Sequence, residues 1–170
     1  MIRIKRFAID RDDILKALQR LGELAQAHNL KLTLCLIGEA LMIIEYGARK
    51  TTRRVDAVIL EPSKRDEELI EMASIIAKDN GWPDDWLNTD AGSHIHRIKS
   101  KCLLAGPGIE VHAPVTAQVL ALKLLDWNSD ADIKDAIRLR KEIPGDREDV
   151  WREIEQFLPM DPAATPDLDF

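Results

Sequence analysis

LTLCLIGEALMIIEYGARKTTRRVDAVILEP, Leu32 to Pro62, decides how this chain is read. Leu32 to Ile37 is apolar at every position but Thr33, as a strand in the interior of a covered sheet would be. Gly38 supplies the turn, and Ala40 to Tyr46 makes a short apolar helix. A basic loop follows, holding Arg49, Lys50, Arg53 and Arg54. Val55 to Leu60 is a second apolar strand, closed by the turn at Glu61-Pro62-Ser63. One carboxylate, Asp56, stands near the start of that strand. A carboxylate there carries a desolvation cost unless it is paired, bound to a metal, or hydrogen-bonded by the preceding loop, for which Thr51 and Thr52 are at hand.

Outward from this stretch, Asp10 is an N-cap for a helix over Arg11 to His28, with Ile14, Leu15, Leu18, Leu21, Leu24 and Ala25 at helical spacing. Asn29 is its stop. Ser63 reads as the cap of a helix from Lys64 to Asn80, which Gly81-Trp82-Pro83 ends. Asp84 to Ser100 is polar and irregular, anchored by Trp86 and Leu87. Lys101 to Leu104 and Ile109 to Ala113 read as strands about the Gly106-Pro107-Gly108 turn. Three further helices are predicted: Pro114 or Val115 to Leu125, Asp130 to Glu142, and Arg147 to Phe157. The expected fold class is α+β, a small mixed β-sheet with helices packed on it. Residues 1–158 read as one domain and 159–170 as a flexible C-terminal tail rich in proline.

Composition narrows the function classes. The 170 residues are 45% hydrophobic and 32% charged, as in an ordinary soluble domain. No apolar run approaches the ~20 residues a membrane helix needs, and no signal-peptide core opens the chain, so a cytoplasmic protein without membrane contact is expected. Cys35 and Cys102 lie in apolar segments and read as buried thiols, not a disulfide. The net charge of -6 argues against general nucleic-acid binding. The basic loop beside Gly38 still suits one phosphorylated ligand. In GIEVHAP, Glu110 and His112 point to the same face of a strand because side chains alternate. His94 and His96 lack partners at metal-ligand spacing, and no P-loop or nucleophile-elbow motif is present.

The strand, Gly turn, helix and Asp-bearing strand resemble the core of the nucleotidyltransferase superfamily, in the minimal bacterial branch that includes the abortive-infection toxins. That family places Gly-Gly or Gly-Ser at the turn and Asp-x-Asp on the second strand. The resemblance implies a nucleotidyltransferase-like sheet, with Gly38, Glu39, Arg53, Arg54 and Lys123 at the nucleotide. It makes Asp56 the second aspartate of the pair and Glu110 the third carboxylate, catalytic residues and magnesium ligands in one. Two departures stand in the motif: Glu39 replaces the second Gly and Arg54 the first Asp. They imply a weak or inactive relative acting as a binding module, with a nucleotide, RNA, or a cognate toxin or antitoxin as partner. The alternative is an active enzyme moving a nucleoside monophosphate from a Mg2+-bound NTP to RNA or protein. Because the departures are opposite in charge, Glu39 and Arg54 are expected to form an ion pair or a water-linked contact. Asp132 and Asp135 read as packing or capping residues. A third class is an unrelated α+β enzyme using Glu110 and His112.

Overall fold

The computed structural model describes residues 7–62, 66–90, 92, 95, 97–126 and 129–159. The Ser63 cap, His94, His96 and the tail from residue 160 onward fall outside them. Among the described residues the chain is mixed α+β, with six helices and two sheets. Where the sequence reads as one domain, packing divides the chain into two compact units, Met1–Ala113 and Pro114–Phe170.

In the first unit, β1 (Ile9–Asp10) leads into α1 (Arg11–Ala27). Asp10 and Asp13 exchange side-chain-to-backbone hydrogen bonds at its start, a reciprocal cap that satisfies two otherwise orphaned N–H groups. Asn29, at φ 55°, turns the chain out of the helix in the left-handed conformation. β2 (Leu32–Ile37) runs to Gly38, α2 (Gly38–Ile44) follows, and β4 (Val55–Glu61) returns antiparallel to β2. Between them β3 (Thr51–Thr52) pairs with β1, which straps the basic loop to the start of α1. A two-residue bridge has no periodicity, so the sequence reads there as loop.

α3 (Asp66–Asn80) ends at Gly81, φ 67°, where the Trp82 amide donates to the Ala77 carbonyl. Trp86 is fully buried, and its indole N–H donates to the Ala73 carbonyl at 2.9 Å. That anchor explains β5 (Leu87–Asn88) inside a polar segment: the Trp86 carbonyl accepts from Val55 N–H and lays Asn88 beside Asp56. β6 (Ser100–Gly106) and β7 (Ile109–Pro114) complete a five-stranded sheet in the order β5-β4-β2-β7-β6. β7 is parallel to β2.

One sheet face carries Leu32, Leu34, Leu36, Val55, Ala57, Ile109 and Val111, all buried. α1 lies on it closely: a Cβ at Gly22 would meet Ile109 Cγ2 at 2.5 Å, so only glycine fits. The other face carries Cys35, Ile37, Asp56, Val58, Glu110 and His112 and is only partly covered. This is the face with the chemistry.

The second unit holds α4 (Thr116–Leu125), α5 (Asp130–Glu142) and α6 (Arg147–Glu155). Ser129 caps α5 through the Asp132 N–H, and Asp146 with Asp149 caps α6 reciprocally. No helix of the described residues is long and apolar enough to cross a membrane.

Candidate functional site

The antiparallel pairing of β2 with β4 sets Ile37 opposite Asp56, so the turn after Ile37 folds directly over the carboxylate. Gly38 has φ 64°, and a Cβ there would lie 3.1 Å from Asp56 Oδ2. Glycine is needed twice over, for its backbone angle and for room beside the oxygen. The other oxygen, Asp56 Oδ1, accepts from Arg54 Nε at 3.0 Å and from Asn88 Nδ2 at 2.9 Å. Arg54 immediately precedes β4, two residues before Asp56, and its guanidinium reaches the same side of the strand.

Glu39 opens α2 and points to the loop. Its Oε1 accepts from Arg49 Nη1 at 3.0 Å, and its Oε2 accepts from Thr52 Oγ1 at 2.8 Å. Thr52 is buried, and its hydroxyl also accepts from the Arg54 N–H at 3.3 Å. Glu39 and Arg54 therefore do not form the direct ion pair that was one form of the expected contact. Arg54 takes the carboxylate two residues further on, and Glu39 takes Arg49 and Thr52 from the loop after α2. Asp56 likewise draws its hydrogen bonds from Arg54 and Asn88, not from Thr51 or Thr52. Asn88 and the Glu39 contact of Thr52 were not legible in the sequence, since they depend on a two-residue strand and a two-residue bridge. Arg53 and Lys50 are exposed on the same loop.

Glu110 shares the sheet face of Asp56 but not its neighbourhood. It stands opposite Thr33, whereas Asp56 stands opposite Ile37, on the far side of β2. Four residues along a strand and two strand spacings across separate their Cα atoms by about 16 Å. Two carboxylates so placed cannot ligate one magnesium ion, whose oxygens sit at ~2.1 Å, nor flank a metal pair ~4 Å apart. The shared metal site expected of Asp56 and Glu110 is not assembled. Glu110 is held instead by Lys31 Nζ at 2.7 Å on one oxygen and by His112 Nε2 at 3.4 Å on the other. The Lys31 hydrogen bond first, and that of His112 second, keep its carboxyl below the usual range. Among the described residues no group of three or more His, Cys, Asp or Glu side chains is placed to hold a metal.

Lys123 lies on α4 in the second unit, where its ammonium is committed locally. It pairs with Asp135 Oδ2 at 2.9 Å and Asp132 Oδ1 at 3.4 Å. Asp132 also accepts from Ser129 Oγ at 2.9 Å, beside the N-cap that Ser129 itself supplies. Both cysteines are free thiols, as expected. Cys35 is buried and desolvation pushes it to about 12, whereas Cys102, expected inside, is exposed on β6.

Comparison with protein-family models, with curated proteins and with solved structures finds no match to this chain.

Proposed function

We propose that this chain is a nucleotidyltransferase-like protein that no longer transfers nucleotides and acts as a binding module. The observation that carries the reading is the double occupation of Asp56 Oδ1 by Arg54 and Asn88. In the motif that the sequence resembles, this carboxylate is a metal ligand. Here its charge is offset by a guanidinium two residues away, so a cation approaching it meets a positive charge first. Glu39 adds a negative charge at the turn where a triphosphate would lie, which disfavours that anion in turn. Either change weakens the site; the pair of them opposes both components of a magnesium–nucleotide complex.

What remains at the turn is a rim with exposed Lys50 and Arg53. Its chemistry suits an acidic or phosphate-bearing surface gripped from outside, as on RNA or a cognate toxin or antitoxin within a defence pair. Such a contact needs no metal and no opening of the Asp56 network.

The test is calorimetry with each of the four NTPs and Mg2+ on the wild type, on Glu39→Gly, on Arg54→Asp and on the double variant. The wild type is expected to take up no nucleotide, and the double variant to gain nucleotide and magnesium affinity together. A wild type that binds an NTP in a magnesium-dependent way and transfers its nucleotide to RNA or protein would overturn the reading in favour of the active enzyme.

A further inference from the structure

At the opposite end of the same sheet face, three side chains of the two adjacent strands β6 and β7 stand in line. Ser100 Oγ lies 3.1 Å from His112 Nδ1, and His112 Nε2 lies 3.4 Å from Glu110 Oε2. Glu110 and His112 are two apart on β7 and so share a side. The second oxygen of Glu110 is pinned by Lys31 Nζ at 2.7 Å. None of these groups contributes to the Asp56 network.

The partners fix the chemistry of the imidazole. Glu110 is an acceptor only, so the proton of neutral His112 belongs on Nε2, facing the carboxylate. Nδ1 is then an unprotonated base directed at the Ser100 hydroxyl. An acceptor carboxylate, an oriented imidazole and a hydroxyl within reach of its free nitrogen are the parts of an activated serine nucleophile, which is recognised by geometry and role instead of position in the chain. Access is consistent with use: His112 retains 20% and Glu110 33% of its side-chain surface, and Ser100 is half-buried. Cys35, on the same face and in register with His112, is no competitor, because burial keeps its thiol protonated.

We propose that Ser100, His112 and Glu110 form a nucleophilic relay that hydrolyses small, unhindered carboxylic esters. Ser100 Oγ attacks the acyl carbon while its proton passes to His112 Nδ1. As the bond from acyl carbon to leaving oxygen breaks, the imidazolium returns that proton to the leaving alcohol, and the acyl group remains as an ester on Ser100. Water then attacks the same carbon with His112 again taking the proton, which it returns to Ser100 Oγ as the carboxylic acid departs. Ser100 and His112 are the catalytic residues. Glu110 is a positioning residue that holds the tautomer and stabilises the imidazolium, and Lys31 positions Glu110.

The test uses the full chain, an alkyl fluorophosphonate with mass mapping of the adduct, and p-nitrophenyl acetate as substrate. A single adduct on Ser100 and an esterase activity are expected, both lost in Ser100→Ala at an unchanged melting temperature. His112→Phe should slow labelling about 100-fold, the scale of a missing general base. Glu110→Gln should slow it too, with Glu110→Asp restoring part of the rate, a rescue that a merely structural carboxylate would not show. A wild type that takes no label at Ser100, or one whose labelling is indifferent to His112→Phe, overturns the proposal.

Discussion

Two charge clusters, each holding a basic residue that the resemblance would set at a nucleotide, have opposite physical characters. In the second unit, Lys123 and Asp135 retain 14% and 4% of their side-chain surface. In the first, Arg54 and Asp56 retain 51% and 22%. The distances are nearly the same, 2.9 and 3.0 Å. What differs is the water. A pair cut off from solvent is held by a strong field and leaves a costly orphan when broken. A pair half in solvent is screened, contributes little to stability, and acts mainly on what else can approach the carboxylate. One cluster is therefore a structural element and the other a solvent-facing rim, and separation in ångströms alone does not tell them apart.

The largest expected effect breaks the buried cluster. Lys123→Met should cost about 3–5 kcal/mol in urea unfolding, because the buried Asp135 carboxylate loses its ammonium partner. Replacing both partners, Lys123→Met with Asp135→Leu, should recover most of that loss. A small effect of the single change would show the cluster to be as solvated as the rim.

Next comes the turn over Asp56. Gly38→Ala forces a side chain into the left-handed region at φ 64° and to 3.1 Å from a carboxylate oxygen. A cost of about 1–3 kcal/mol is expected from the backbone alone. Indifference to this substitution would mean that the turn does not lie against Asp56. The rim pair is expected to register least: Arg54→Ala should change unfolding free energy by only ~0–1 kcal/mol. A loss as large as that of Lys123→Met would erase the distinction between the clusters.

A pH titration sharpens it further at Glu110. Its carboxyl should titrate below the ordinary 4.5 by carbon-detected NMR, and Lys31→Met should move the midpoint up. The sign follows from the lowered value. The contribution of Glu110 to stability is fully present above 4.5 and fades as pH falls through the lower, folded-state value. A midpoint unmoved by Lys31→Met would show that the contact is not maintained in solution.

Much of the fold was legible because it is written in periodicity. The apolar run of β2, the Gly38 turn, the α1 stripe behind Asp10 and the β6–β7 hairpin all follow from local pattern and appear within a residue or two of expectation, β6 extending furthest. The site was legible only in part. Gly38 and Asp56 do face each other, because adjacent strands joined by a short helix allow little else. The partners of Glu39 and Asp56 were not, since they include Thr52 and Asn88, each placed by a two-residue element too short to show a period. The separation of Asp56 from Glu110 was hidden for another reason. Sequence gives the side of a strand by alternation, but not the register between strands that are 48 or more residues apart, and four register positions are enough to split one site into two.

The central claim, that the Asp56 end of the sheet is closed to a divalent metal, is tested most directly by paramagnetic broadening. Mn2+ added to 15N-labelled wild-type protein should leave the amide signals of Gly38, Glu39 and Asp56 no broader than those of the buried strands. Selective loss of those signals at low Mn2+, restored by competing Mg2+ and absent in Asp56→Asn, would contradict the account.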